Sequence, residues 1–505
     1  MPKHFLVNDN LTYVPEPHVD KNTFLTMPAD ETAIPSYDEI KDRLPRPIWD
    51  GHDDTLHCYD KAWQIAFRNL RRAKREAGFV SNFIDTAFNG YLFMWDSSFI
   101  VMFGKYASHI FDFQKTLDNF YSHQHRDGFI CREICEDEPG EQFTRDDPCS
   151  TGPNILAWSE WLYFLQTDNK ERLARVFDPL MAYHHWLQLH RTWQDGTYWS
   201  TGWACGMDDT PRMQSEYNVS HHHGFMSWLD TCAQQYMNAQ ILQKMAKVLG
   251  REDETGWLRE EEELLGRAID KMWDKDEKFY FDRYRDGSLG TAKSIGAYWT
   301  LIAGLVPEDR RADFIAHLEN EGEFKRKWMI PSLAADHPLY TPEYCGWRGA
   351  VWAPTNYMVL LGLRKYGYEK LAAGIAENYV GLVTSVFNVT GTLHENYSAE
   401  SDGTRANEHA QKDFVGWTGL APISILFEFV FGIESDALHH RIVWHVNRTE
   451  RHGIENYRLG DATVSLICDA RASNNEKPVL HISADRPITV VVDWNGKTED
   501  RHIEP

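Results

Sequence analysis

The 505-residue chain has no run of about 18 apolar residues that could span a bilayer, and its opening stretch, MPKHFLVNDN, has no apolar core of the kind that directs secretion. The expectation is a soluble cytoplasmic protein with no membrane partner. Positive charge is in deficit: 52 Lys and Arg stand against 75 Asp and Glu, for a net charge of −23. That balance excludes nucleic acid, because holding a polyanion requires clustered cations. No phosphate-binding glycine loop, HExxH or GxSxG is present, which removes nucleotide chemistry, zinc proteolysis and the serine-hydrolase elbow. The eight cysteines form no CxxC pair, and Cys131, Cys135 and Cys149 lack a second half-site for zinc. His221, His222 and His223 are consecutive, so one helix face cannot present all three. No metal or cofactor is expected, and the thiols should be buried and free. The Asn-x-Ser/Thr triplets at Asn10, Asn218 and Asn388 carry no meaning without secretion.

What the chain does have is aromatic surface: 19 Trp, 22 Tyr and 26 Phe, in a sequence that is 42% apolar and 25% charged. Indole rings offer a flat apolar face and one N–H donor, which suits the C–H faces and hydroxyl edges of sugars; a large helical core also consumes such residues. Residues 1–56 are proline-rich with little helical period and read as an extended segment packed on the main body. From His57 the spacing turns helical. Trp63, Phe67 and Leu70 recur at i, i+4 and i+7, and the basic run after them, from Arg71 to Arg75, reads as a solvated helix face. Eleven further helical stretches follow near 95–106, 108–122, 154–167, 170–194, 223–250, 253–273, 293–304, 307–320, 350–366, 367–387 and 415–431.

Long connections interrupt them at Glu136–Pro153, Gly196–Arg212 and Lys327–Gly349, and loops of that length are suspects for function or for a lid. Twelve helices joined by alternating short and long connections predict a mainly α chain, an (α/α)6 barrel over 57–435 with its long loops at one mouth. Short β-branched runs at 441–444, 462–468, 479–483 and 488–492 predict a small antiparallel β unit over 436–505.

The loop Thr201–Met213 holds the most chemistry. Gly206, Asp208, Asp209, Pro211 and Arg212 crowd into it, and either its aspartates act on a ligand or Asp209 or Thr210 caps a following helix. Trp95 and Asp96 open one helix, where Asp96 is either an N-cap or an acceptor for sugar hydroxyls beside an indole wall. Trp347, Arg348, Gly349, Trp352, Asn356 and Tyr357 mark another helix entrance. A third group is His394, Glu395, Asn396 and Tyr397, in which Asn396 and Tyr397 are candidates for orienting Glu395. Paired carboxyls, one protonated and one ionised, are what glycoside hydrolysis requires, and Asp208 with Glu395 meets that need in residue type.

Taken together, Trp95-Asp96-Ser97, Gly206 to Arg212, Trp347-Arg348-Gly349 with Trp352, Asn356 and Tyr357, His394 to Tyr397, and Phe414 to Leu420 resemble, in order, the motif set of the (α/α)6 glycosidases of families 63 and 37. That group includes processing α-glucosidase, trehalase and the mannosylglycerate and glucosylglycerate hydrolases. The resemblance covers residues 57–432 and implies an inverting exo-acting α-glycosidase. By it, Asp208 is the general acid and Glu395 the base that activates water. Trp95, Asp96, Trp347, Arg348, Trp352 and Trp417 would shape the sugar pocket, and Arg212 is a further candidate for substrate binding or for a partner held by Asp209.

Where trehalases carry Gln-Pro-Pro, this chain has Thr151-Gly152-Pro153-Asn154, which argues against trehalose. The large N-terminal β domain of the processing glucosidases is missing, so a small intracellular carbohydrate is the expected substrate. The alternatives are a sugar phosphorylase or epimerase on the same barrel, or a non-catalytic sugar-binding protein. Neither the sugar, its aglycone nor the oligomeric state follows from the sequence.

Overall fold

The computed structural model describes residues 14–86, 89–213 and 217–505; the opening stretch, and with it Asn10, lies outside the described residues. Twelve helices of five or more residues occur among the described residues. They are α1 (Asp53–Arg68), α2 (Met94–Gly104), α3 (Lys115–Ser122), α4 (Leu156–Thr167), α5 (Lys170–His190) and α6 (Leu229–Leu249) in the first half of the chain. The second half holds α7 (Gly256–Asp270), α8 (Trp299–Ala303), α9 (Glu308–Ala316), α10 (Ala353–Lys365), α11 (Glu369–Thr390) and α12 (Ala421–Val430). Each falls on one of the twelve stretches anticipated from spacing.

Their burial separates two kinds. Helix α1 is amphipathic, with Cys58, Tyr59, Ala62, Trp63 and Phe67 turned inward and Asp53 and Asp54 at its positive end. Helix α2 carries Asp96, Ser97 and Ser98 in its first turns and is apolar on all sides from Phe99 on, and every one of its residues is buried, as in a helix enclosed by others. The packing partners run α2 with α4, α4 with α6, α6 with α8, α8 with α10, and α10 with α12, which also touches α2. Outside them, α1 lies on α11 and α12, α5 and α7 lie on α6, and α11 lies on α10. Helix α12 is wound with i→i+5 bonds, the last being the Phe431 amide donating to Leu426 O at 2.8 Å.

The strands that precede the helices and follow them combine. Strand β1 (Arg46–Trp49) lies near the start, and β2 (Tyr91–Phe93) pairs with β3 (Glu133–Cys135) beside the N-terminus of α2. After α12 come β4 (Ile433–Asp436), β5 (Arg441–His445), β6 (His452–Leu459), β7 (Ala462–Cys468), β8 (Leu480–Ala484), β9 (Ile488–Trp494) and β10 (Lys497–Ile503). They make two four-stranded sheets, β1-β6-β7-β8 and β4-β5-β9-β10.

Two features depart from the expectation of a self-contained antiparallel unit. Strand β5 pairs with β9 in parallel, because the three strands of the other sheet intervene between them in the chain. The edge strand β1 comes from the N-terminal segment and pairs with residues 452–455, so that segment is partly a member of the C-terminal sheet. Among the described residues, no helix is long and apolar enough to cross a membrane.

Candidate active site

One cavity of about 370 Å³ gathers residues from widely separated loops. It is lined by Trp95 and Asp96 in the first turn of α2, by Asp208, by Trp347 and Trp352 just before α10, by Glu395, and by Trp417 before α12. Seven of the nine residues singled out from sequence therefore meet there. Its size lies within the range of small-molecule sites.

The Asp208 loop owes its course to local sequence. Thr201 Oγ1 accepts the Ala204 amide at 3.2 Å, capping the single turn Gly202–Cys205, and Gly206 ends it at φ +74°. A Cβ on Gly206 would stand 2.8 Å from the Trp95 ring, so only glycine lets the loop lie against that indole. Asp208 is solvent-accessible on its cavity side, while the protein atoms crowded around the cavity leave its carboxyl poorly solvated. Burial raises its pKa to about 7 from an ordinary 3.8; nearby Arg132 opposes the rise, while Asp209, Glu133 and Glu395 add to it.

Glu395 enters from the other half of the chain. Its amide donates to Gln411 O at 3.0 Å, and its carbonyl accepts Trp417 Nε1–H at 2.7 Å. Oε2 accepts the Gln411 amide at 3.1 Å and stands 3.8 Å from the Cys345 thiol. Burial raises the Glu395 pKa above 4.5, and these two donors hold it back. Asn396 reaches the carboxylate only through Cys345, donating from Nδ2 to Sγ at 3.0 Å, and the Tyr397 hydroxyl accepts the His394 amide. Burial, and then Glu395 facing it, raise the Asp96 pKa well above the ordinary 3.8, and its Oδ1 is buried with no protein partner among the described residues. Trp95 Nε1 is in the same condition, which leaves one donor and one acceptor on residues that line the cavity. Trp347 and Trp352 stack at 4.3 Å and 8°, and Trp417 meets Trp352 at 5.6 Å.

Two expected contacts fall elsewhere. Arg212 is buried outside the cavity lining, ion-paired to Asp230 and to Asp282 and laid over the Trp228 ring at 4.5 Å. A buried guanidinium held by two carboxylates is a structural tie, and the structure places Arg212 there rather than on the cavity wall. Arg348 also lies outside the lining, with Nε 3.1 Å from Asp209 Oδ2. Asp209 caps no helix and does not hold Arg212: its Oδ1 accepts the Trp347 amide at 2.7 Å, which fastens the Asp208 loop to the segment entering α10. His222 and His223 each accept an amide within their own turn, from Gly224 and Phe225.

The sequence reading passed over Arg132, Glu133, Gln142, Phe143 and Trp203, all of which line the cavity. Arg132 pairs with Glu133 at 2.5 Å, donates from Nε to Cys149 O at 2.7 Å, and sits over the Phe143 and Trp203 rings. The length of the Glu136–Pro153 loop was the available signal for Gln142 and Phe143. Arg132 and Glu133 precede that loop and carried none.

The family model for the mannosylglycerate hydrolase MGH1-like glycoside hydrolase domain matches residues 90–415, more than half of the chain. A mannosylglycerate hydrolase of Thermus thermophilus is 23% identical over 368 residues, covering 58% of this chain and 86% of that protein. A probable mannosyl-oligosaccharide glucosidase of Schizosaccharomyces pombe is 27% identical over 58% of this chain and 36% of its own length, so the chain spans about a third of that relative. The crystal structure of a GH63 mannosylglycerate hydrolase from Thermus thermophilus in complex with glucose superposes with a TM-score of 0.59 at 21% identity, over 72% of this chain and 99% of that one. At that identity the likeness is one of fold. The matched segment takes in Trp95, Asp96, Arg132, Asp208, Trp347 and Glu395, and the chain belongs to the mannosylglycerate hydrolase MGH1-like family of glycoside hydrolases.

Proposed function

We propose that the protein is an inverting, exo-acting α-glycosidase on a small α-glucoside or α-mannoside, with Asp208 as general acid and Glu395 as general base. The observation that carries this reading is a single cavity lined by both carboxyls, in which Asp208 keeps its proton up to about pH 7. An acid poised near the working pH gives the best compromise between being protonated and being able to release the proton to the glycosidic oxygen. Glu395, accepting two donors on Oε2, leaves its other oxygen to take a proton from water. An inverting pair needs room for that water, so the carboxyl groups should stand about 6.5–9.5 Å apart.

Trp95, Asp96, Trp347, Trp352 and Trp417 would form the pocket for the non-reducing sugar, the indoles against its C–H faces and Asp96 on its hydroxyls. A cavity of this volume supports cleavage from a chain end. We read the sequence of packing partners α2, α4, α6, α8, α10 and α12 as the inner ring of an (α/α)6 barrel over residues 57–435, with the described part of the N-terminal segment, 14–56, laid along it and 436–505 as the β domain. The eight cysteines, all free, support a reducing, cytoplasmic setting.

The test is Asp208→Asn. Turnover of a glycoside with a poor leaving group should fall by about 10²–10⁴-fold, while an activated aryl glycoside, which needs little protonation, loses far less. Proton NMR of the first sugar released from an α substrate should show the β anomer; initial release of the α anomer rejects the inverting mechanism.

A further inference from the structure

The charge around the cavity bears on what stands beyond the scissile bond. Among the described residues, four carboxyl groups line it, on Asp96, Glu133, Asp208 and Glu395, and the only Lys or Arg in the lining is Arg132. That guanidinium is already tied at two of its three nitrogens. Its Nη1 meets Glu133 at 2.5 Å, its Nε donates to Cys149 O at 2.7 Å, and its faces lie over Phe143 at 4.7 Å and Trp203 at 5.8 Å. The next two arginines are spent as well, Arg348 on Asp209 and Arg212 on Asp230 and Asp282. Residues 214–216, Gln-Ser-Glu in sequence, add no cation.

With the hydrolase reading above as its basis, we infer that the cavity selects glycosides with an uncharged aglycone and rejects those carrying a carboxylate or phosphate. An anionic aglycone would enter a space where the Glu395 carboxylate faces it, where the one guanidinium is offset by Glu133, and where Asp96 and Asp208, their pKa values raised, offer no cation in compensation. Like charges so placed repel, and recognition of a carboxylate requires a free fork of N–H donors. A neutral polyol meets no such penalty, because the same carboxyls accept its hydroxyls. The mannosylglycerate named for the Thermus relative carries a carboxylate, so the substrate of this chain would differ from it in charge.

Two matched pairs test this: α-glucosylglycerol against α-glucosylglycerate, and α-mannosylglycerol against α-mannosylglycerate. Each pair exchanges only CH₂OH for COO⁻. For whichever sugar is cleaved, kcat/KM for the glycerol compound should exceed that for the glycerate by about 100-fold or more at low ionic strength. The gap should narrow in high salt, since screening weakens the repulsion. Glu133→Gln, which releases Arg132 from its partner, should narrow it by about 10-fold or more. Equal or faster cleavage of the glycerate compounds overturns the inference and leaves the hydrolase reading standing. Cleavage of no member of either pair overturns both, and a gap that ignores salt and Glu133→Gln removes charge as its cause.

Discussion

Asp209→Ala tests the idea that the Asp208 loop is held in place by one carboxylate bridging to the segment that enters α10. In the structure, Oδ1 accepts the Trp347 amide at 2.7 Å and Oδ2 stands 3.1 Å from Arg348 Nε. An amide donating to an ionised acceptor contributes about 1.5–3 kcal/mol. The Arg348 side chain is 39% exposed, so its ion pair adds only about 0.2–1 kcal/mol. The bridge is then worth about 2–4 kcal/mol locally, and Asp209→Asn, which keeps one acceptor oxygen but no charge, should forfeit roughly half of that. Because Asp208 and Trp347 ride on opposite sides of the bridge, slippage of about 1 Å between them should lower kcat/KM by about 10–100-fold. The loss should be equal for natural and activated glycosides, unlike that of Asp208→Asn, since no proton transfer is removed. Amide exchange at Trp347, thermal melts and kcat/KM on both substrate types make the assay. Unchanged exchange at Trp347 in Asp209→Ala would refute the bridge. A folded but inactive Asp209→Asn, rescued by an activated leaving group, would move the general acid from Asp208 to Asp209.

The pH profile of kcat/KM should be a bell, lost on the acid side as Glu395 protonates above its ordinary 4.5 and on the alkaline side as Asp208 ionises near pH 7. In stability, a folded pKa of about 7 against an ordinary 3.8 means the native state holds the extra proton, so the wild type should lose stability relative to Asp208→Asn as pH rises between those values, with the difference constant above them; melts of the two across that window check it. Burial pushes the Cys345 thiol up to about 11, so at neutral pH it remains a donor to Glu395; Cys345→Ser should stay within about 3-fold in kcat/KM and Cys345→Val should fall by about 10-fold, and equal activity in both would dismiss the contact. Arg212→Met strands Asp230 and Asp282 and should cost about 3–5 kcal/mol of stability, read by thermal or denaturant unfolding; a variant of unchanged stability that has lost sugar binding would restore Arg212 as a ligand contact.

The helices were legible because each must turn an apolar stripe or an apolar whole toward its neighbours. Trp63 and Phe67 write that period into α1, and the unbroken burial of α2 writes it as a run. The gathering of Trp95, Asp96, Asp208, Trp347, Trp352, Glu395 and Trp417 was also legible, since loops that break helical spacing with Gly, Trp and carboxylates have little other use for them. Arg212 and Arg348 lie outside the cavity lining for one reason. A long side chain near a carboxylate in sequence is free to turn away, and here one dives under the loop to Asp230 while the other reaches Asp209. Arg132 and Glu133 escaped because what fixes them is remote: the pairing of β3 with β2, and the Cys149 carbonyl. The parallel pairing of β5 with β9 was equally hidden, since a period of two tells which face is buried but not which strand lies alongside.

Strand β1 gives the protein a timetable. Arg46 and Glu455, joined across the β1–β6 ladder, are 409 residues apart, and a ribosome adding about 5–20 residues per second delivers them about 20–80 s apart. Through that interval all twelve helices emerge while β1 has no partner. Pro47 within it removes one ladder donor and so discourages pairing with a stranger. Strand β1, made before any of the twelve helices, is thus among the last elements to be fixed, and a stall between residues 430 and 452 leaves a nascent chain with its helices synthesised and this strand still waiting.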